Sequence, residues 1–546
     1  MSGLWYFWGS LALLLGGYFV YGAFVEKVFG ADFGRLTPVK SRRDGVDYIE
    51  LPRYKIFLIQ LLNIAGLGPV IGPILGALYG PSALLWVVFG CIFGGAVHDY
   101  CSAMMSLRYG GASYPEIIGR NLGTGVRRFM EVFAIAFMIM VGAVFVLGPA
   151  ALLANLTSFG LPFWATLIFA YYFLATIMPI DTIIGRIYPF FSVLLLVMAF
   201  GLAGSLMLSG RPVLPNTDFF VNTDPTGLPI WPLLFITIAC GAVSGFHALI
   251  SSGTTPKLLA NETDARFIGY GAMLMESFVA IMALVAASII EPGLYFAMNT
   301  PPAGLGITMP NLHEMGGENA PIIMAQLKDV TAHAAATVSS WGFVISPEQI
   351  LQTAKDIGEP SVLNRAGGAP TLAVGIAHVF HKVLPMADMG FWYHFGILFE
   401  ALFILTALDA GTRSGRFMLQ DLLGNFIPFL KKTDSLVAGI IGTAGCVGLW
   451  GYLLYQGVVD PLGGVKSLWP LFGISNQMLA AVALVLGTVV LIKMKRTQYI
   501  WVTVIPAVWL LICTTWALGL KLFSTNPQME GFFFMANQYK EKIANG

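Results

Sequence analysis

The sequence predicts an all-α polytopic membrane protein with about 12 transmembrane helices, arranged as a five-plus-five inverted repeat with one extra helix at each end. Three observations carry that expectation. Of 546 residues, 57% are apolar and only 11% are charged, with a mean hydropathy of +0.76; soluble domains carry roughly 25% charged residues. Twelve segments reach the roughly 20 apolar residues that a bilayer crossing needs. Two of those segments are interrupted near their middle by glycine-rich backbone. One reads Gln60-Leu-Leu-Asn63-Ile-Ala-Gly66-Leu-Gly68-Pro69-Val-Ile-Gly72-Pro73; the other reads Cys240-Gly241-Ala-Val-Ser244-Gly245-Phe246-His247-Ala-Leu-Ile-Ser251-Ser252-Gly253. Lipid cannot replace lost backbone hydrogen bonds, so a span broken there must line a protein cavity.

The first expected span, Leu4 to Val25, is uncharged and follows only Met1-Ser-Gly. A secretory signal would carry a basic start and a shorter apolar core, so this run reads as a retained helix. Residues 1–27 then form an extra N-terminal helix. Spans at 56–80, 83–107, 129–154, 162–180 and 187–209 form a first repeat over 55–210. Spans at 231–255, 267–290, 390–411, 435–455 and 467–492 form a second repeat over 231–492. A final span at 500–520 precedes a tail at 521–546. Each repeat has an odd number of spans, so the second must insert upside down, and a broken helix heads each half.

Loop charge supplies the orientation. The loop after the first span holds Lys27, Arg35, Lys40, Arg42, Arg43, Arg53 and Lys55. Taken as cytoplasmic, that side collects 21 of the 30 basic residues, Arg413 and Arg416 among them, and both termini fall outside. The one long hydrophilic segment, 291–389, is then an extracytoplasmic loop. Ser346-Pro347-Glu348-Gln349 reads as a helix start with a capping box. Thr371 to Leu384 carries apolar residues at helical spacing. A loop with its own helices reads as a lid or as a structural cap.

Composition excludes several functions. A formal net charge of +1 argues against nucleic acid as a partner. Five cysteines fall in apolar stretches with no CxxC pair, so they read as packing residues and not as a disulfide or zinc framework. No nucleophile elbow, Walker A loop, HExxH or dinucleotide glycine pattern occurs, so neither an enzyme nor an ATP-driven pump is expected, and no cofactor.

The candidate binding residues lie at the two breaks: Asn63, Gly66, Gly68, Ser244, Gly245, Phe246, His247 and Ser251. Unwound backbone frees amides and carbonyls there. A half-helix N-terminus suits an anion and a half-helix C-terminus suits a cation, so a substrate bearing both charges would use both. The competing reading is that these glycines only permit close packing, and that His247 is a packing histidine. Ionisable residues inside spans are the candidates for ion or proton coupling: His98, Asp99, Glu400 and Asp409, with Thr406 one turn from Asp409. The Thr406–Asp409 pair could hold sodium through oxygens, or a carboxyl could carry a proton. The structural alternatives are an Asp409–Arg413 ion pair and structural pairing of Glu276 and Glu400. His98, Asp99 and Cys101 are too close on one helix to make a closed metal set, so no metal site is expected. Glu131 and Asp181 read as ordinary interfacial charges.

The chain resembles the carbon starvation protein A (CstA) family. The residues that carry the likeness are Pro52 through Pro73, Gly95-Ala-Val-His98-Asp99-Tyr, Met178-Pro-Ile-Asp-Thr-Ile-Ile-Gly185, Gly245 through Lys257, Leu408-Asp-Ala-Gly-Thr-Arg-Ser-Gly-Arg416 and Phe472-Gly-Ile-Ser-Asn-Gln477. The likeness covers about residues 1 to 500 in order. It implies an inner-membrane uptake carrier induced in carbon-limited cells. The expected function is secondary active uptake of small peptides, driven by protons, by alternating access around the two breaks. Pyruvate–proton symport, as in close relatives, is the alternative, and a nutrient-sensing membrane receptor a distant one. It also implies the LeuT/APC-like inverted repeat, with Asn63–Gly68 and Ser244–His247 lining the substrate site. Asp409 and Thr406 would bracket a coupling position for a proton, with sodium as the alternative, and 371–384 would form an outer lid. Expected partners are small peptides or pyruvate and membrane lipid; no sequence feature speaks to oligomeric state.

Overall fold

A computed structural model describes residues 4–545 except 46, 158, 179–183, 210–221, 223, 225–226, 301, 311–318, 365–368, 433–434, 460–463, 527–528 and 530. Among these residues every regular element is helical. The main helices are α1 (Trp5–Phe29), α2 (Arg53–Ile64), α3 (Gly68–Tyr79), α4 (Ser82–Arg108), α5 (Thr124–Leu156), α6 (Leu161–Ile177) and α7 (Ile184–Ser209). They continue with α8 (Ile230–Thr237), α9 (Phe246–Gly253), α10 (Glu262–Ile289), α11 (Pro292–Asn299), α12 (Ala320–Ser340) and α13 (Pro347–Asp356). The last are α14 (Ala369–Val383), α15 (Met389–Leu423), α16 (Leu436–Val459), α17 (Gly464–Lys493), α18 (Trp501–Phe523) and α19 (Phe532–Asn545). Nine described helices are long and apolar enough to cross a membrane, ten if α2 and α3 form one bent span. The remaining two expected spans are the 17-residue α6 and the pair of eight-residue halves α8 and α9.

Both breaks fall where the glycines predict them. The chain leaves helical geometry at Ala65, and α3 restarts at Gly68 with a 52° change of direction. Pro69 sits in the first turn of α3, where its missing N–H leaves no bond unmade. The second break runs over 238–245 between α8 and α9.

One expectation needs correction. Helix α15 does not stop at 411 but continues to Leu423, so Arg413 and Arg416 lie inside a buried helix, only 1% and 2% exposed, and not in a basic loop. Their charges are met. Asp47, itself buried, takes Arg413 Nη1 at 3.2 Å and Arg416 Nη2 at 3.4 Å. Arg413 also donates to the carbonyls of Ala175 and Met178 at 2.8 Å, and Arg416 to that of Thr176 at 3.2 Å. Paired in this way, the arginines give the helix no reason to end. Nearby, Lys257 stacks 3.7 Å above the Phe417 ring just past α9, and burial lowers its ammonium to about 8.

Among the described residues the hydrophilic segment contains both expected helices and three more, α11, α12 and a single turn at Pro302–Leu305. Ser346 makes the capping box at α13, with Gln349 N 3.2 Å from its hydroxyl and Ser346 N 2.8 Å from Gln349 Oε1. Helix α14 lies over 369–383 and packs on α7, α10 and α15. Gly375 permits that approach: a Cβ there would lie 2.3 Å from the Ala286 carbonyl oxygen of α10. Helix α12 buries Ile323, Leu327, Thr331, Ala334 and Val338 at helical spacing, a pattern muted in sequence by its alanines.

Candidate binding and coupling site

The two breaks meet. A Cβ on Gly68 would lie 2.2 Å from Cys240 Sγ, and one on Gly72 would lie 2.7 Å from the Thr237 carbonyl oxygen. A Cβ on Gly66 would lie 2.7 Å from Ala407 of α15. The first turns of α3 therefore pack directly on the end of α8 and the start of the second break, at a separation only glycine permits. The packing role and a site role are compatible at these positions: glycine lets the breaks close on each other in this conformation.

The N-terminus of α9 has a protein partner. Asn476 of α17 accepts from Phe246 N at 2.7 Å through its side chain and from Gly245 N at 3.1 Å through its carbonyl. Its amide group donates to Ser244 Oγ at 3.1 Å. A Cβ on Gly245 would lie 2.2 Å from that same Asn476 carbonyl oxygen. The next residue, Gln477, donates to the Phe235 carbonyl of α8 at 2.6 Å. One polar pair thus fastens both halves of the broken helix. Sequence reasoning used Asn476-Gln477 only for family likeness; the usable signal was two amides inside an otherwise apolar span.

Four buried ionisable side chains form a chain. His98 Nδ1 lies 2.7 Å from Asp99 Oδ1, and Asp99 Oδ2 lies 2.9 Å from His247 Nδ1. His247 Nε2 lies 3.3 Å from Glu276 Oε2, within ion-pair range but without hydrogen-bond alignment. The four side chains are fully buried. They come from α4, α9 and α10, so the chain joins the first half of the molecule to the second break. His98, Asp99 and His247 were singled out from sequence in two separate groups; the structure brings them together and adds Glu276. Asp99 accepts on both oxygens, which orients both imidazoles. Buried ionisable groups are costly unless paired, and each of these imidazoles has the Asp99 carboxylate within hydrogen-bond distance.

The other candidates lie apart. Asn63 is buried in the last turn of α2, and neither atom of its amide has a protein partner. Asp409 Oδ2 accepts from Tyr188 OH at 2.8 Å, and Tyr188 also lies 2.9 Å from the Thr406 carbonyl. Thr406 Oγ1 donates back to Phe403 O at 2.9 Å. Arg413 pairs with Asp47, so the i, i+4 pairing with Asp409 is not formed. Phe246 leans on Phe145, with ring centroids 6.3 Å apart. Ser251 faces Gln60 at 3.4 Å, on the side of α9 where Gln60 also meets Thr255. Glu400 lines a cavity of about 40 Å³, and neither of its carboxyl oxygens has a partner. Glu131 pairs with Arg127 at 2.7 Å; Asp181 lies outside the described residues. Among the described residues no group of three His, Cys, Asp or Glu side chains is placed to hold a metal.

The family model for carbon starvation protein CstA matches residues 2–158 and 148–517. The chain belongs to the carbon starvation protein CstA family. It is 63% identical to the pyruvate/proton symporter BtsT of Escherichia coli, covering all of this chain and 85% of the relative. It is 44% identical to the peptide transporter CstA of the same organism, again over 100% and 85% of the two chains. The Helicobacter pylori peptide transporter CstA is 39% identical, over 99% and 86%. The alignment to the first of these runs over 613 positions against 546 residues here, so this family member lacks residues that its relative carries. Among solved structures, an Eremococcus coleocola manganese transporter overlays with a TM-score of 0.48 at 12% identity, covering 88% of this chain and 90% of that one.

Proposed function

We propose that this CstA-family protein is a secondary active carrier that brings pyruvate, or a closely similar small monocarboxylate, into the cell together with protons. The buried chain His98–Asp99–His247–Glu276 is the observation that carries the reading. It connects the first half of the molecule to the second break through groups whose ordinary chemistry is proton exchange. On this reading α2 with α3, and α8 with α9, are discontinuous spans heading two inverted five-helix repeats, within a total of twelve. The breaks, Asn63 to Gly68 and Ser244 to His247, hold the cargo, and the molecule alternates access around them. Helix α14 is the outer lid. The basic side, where Asp47 meets Arg413 and Arg416, faces the cytoplasm, and both termini face outward. The membrane is the inner membrane.

Of the two cargoes that the family likeness implies, the 63% identity to a pyruvate/proton symporter favours pyruvate over the peptides named for relatives at 44% and 39%. Peptide uptake is the second reading, supported by those names and by the unpartnered amide of Asn63, which suits a peptide terminus. The test is uptake into liposomes containing the purified chain, with labelled pyruvate and labelled dipeptides offered under separately imposed proton and sodium gradients. Pyruvate accumulates only with a proton gradient if the proposal holds. Dipeptide accumulation in its place would select the second reading, and indifference to both gradients would sink coupling altogether.

A further inference from the structure

Glu400 sits in the middle of α15 and is 1% exposed. Among the described residues it is the one polar side chain on the wall of the 40 Å³ cavity. That cavity lies beside the first break. Ala65 of the break lines it, with Met198 of α7, Met282 of α10, Ile376 of the lid helix α14 and Phe403 of α15. No titratable or charged side chain from α2, α3, α7, α10 or α14 is among its lining residues. Neither Glu400 oxygen has a partner among the described residues. This sets Glu400 apart from Asp99, which has two imidazoles, and from Asp409, which has Tyr188.

An isolated ionised carboxylate in such a wall is far too costly to stay ionised; it neutralises instead. As the acid, Glu400 would offer this space one O–H to donate and a carbonyl oxygen to accept. The space has room for a water molecule, needing roughly 10–15 Å³ of this kind of volume, and is polar only at Glu400. Leu372 and Ile376 of α14 form part of its wall.

We infer that Glu400 is the residue that receives the carboxylate of the cargo, and that it does so only when protonated. A neutral acid donates a hydrogen bond to a carboxylate anion, and a charge-assisted bond of that kind is short and strong. An ionised Glu400 would repel the same anion in the same low-dielectric space. Proton and anion then enter together and leave together, which is a physical basis for symport. A cargo with an ammonium group imposes the opposite requirement: it needs Glu400 ionised, and binds better as pH rises. Glu400 thus selects monocarboxylates over peptides entering amine-first. This inference rests on the pyruvate reading above.

Glu400→Gln tests it, because glutamine keeps the shape and the donor but cannot release a proton. In liposomes with no gradient, exchange of external labelled pyruvate for internal pyruvate should continue at a reduced rate and become independent of pH, where exchange by the native chain is expected to decline as pH rises. Accumulation driven by an alkaline interior should fall at least tenfold. Glu400→Asp should restore part of the accumulation. Accumulation by Glu400→Gln at the native level would overturn the inference, as would loss of exchange in a variant that elutes and melts like the native chain. A separate arm on the native background uses Leu372→Cys. Pyruvate should slow its labelling by a thiol reagent, more strongly at pH 6 than at pH 8, the five native cysteines being buried; equal rates with and without pyruvate would also overturn the inference. A native chain that accumulates no pyruvate fails the underlying reading and not Glu400.

Discussion

At the scale of single residues, the site is built by side chains that answer backbone needs. Unwinding at 238–245 leaves the first amides of α9 without helical partners, and Asn476 supplies acceptors to two of them. Truncating it strands buried donors, which costs about 1–3 kcal/mol. Asn476→Ala should therefore lower the thermal midpoint of the purified chain and weaken uptake at the same time. Asn476→Asp, which keeps the acceptor, should recover part of both; an unchanged midpoint in Asn476→Ala would show that α9 needs no cap from α17. The same scale explains what sequence could show. His98, Asp99 and His247 stand out because ionisable groups are rare in apolar spans. Their assembly into one chain with Glu276 was not legible, because 148 positions separate Asp99 from His247 and only packing brings them within 2.9 Å. Pairing of Asp409 with Arg413 looked natural at i, i+4 and is not formed, because Asp47 and three carbonyls satisfy the two arginines of α15.

At the scale of elements, the breaks were the most legible feature. Glycine and proline mark them directly, and α3 starts at the proline that fits a first turn. The contacts between the breaks were not legible, since a glycine's role depends on what approaches it. The length of α15 was misjudged because arginine ordinarily ends a span; here it continues because Asp47 enters from the segment before α2. That segment, the end of α6 and α15 are held together by one buried acid and two buried arginines. Removing the acid leaves two buried cations unpaired, a loss of about 3–5 kcal/mol. Asp47→Asn should lower the thermal midpoint and open this side of the molecule. Cys446, buried 3.9 Å from the Thr412 carbonyl, reports the opening. Its modification by a thiol reagent should speed up at least tenfold, and pyruvate added on the other side should slow it again. Unaltered Cys446 labelling would mean that the Asp47 cluster fastens a loop and does not govern access.

At the scale of the whole molecule, fold class was readable because bilayer solvation imposes length and polarity on every span. Each of the twelve expected segments overlaps helical structure among the described residues, nine or ten of them long enough to cross a membrane, while α6 and the α8–α9 pair are too short singly to pass as spans. The family likeness read from motifs agrees with a model match over most of the chain. The helices of 291–389 were only half legible, because α12 packs through alanines that carry little hydrophobic signal. What unites these scales is the claim that substrate moves with a proton handled by the buried chain at the second break. The most direct test seals a pH-sensitive dye inside liposomes that contain the purified chain. External pyruvate is then added with no ion gradient. The account predicts prompt internal acidification with the native chain, unchanged when sodium is replaced by choline, and no acidification with Asp99→Asn despite intact folding. Pyruvate entry with no acidification in the native chain, or equal acidification in Asp99→Asn, would contradict it.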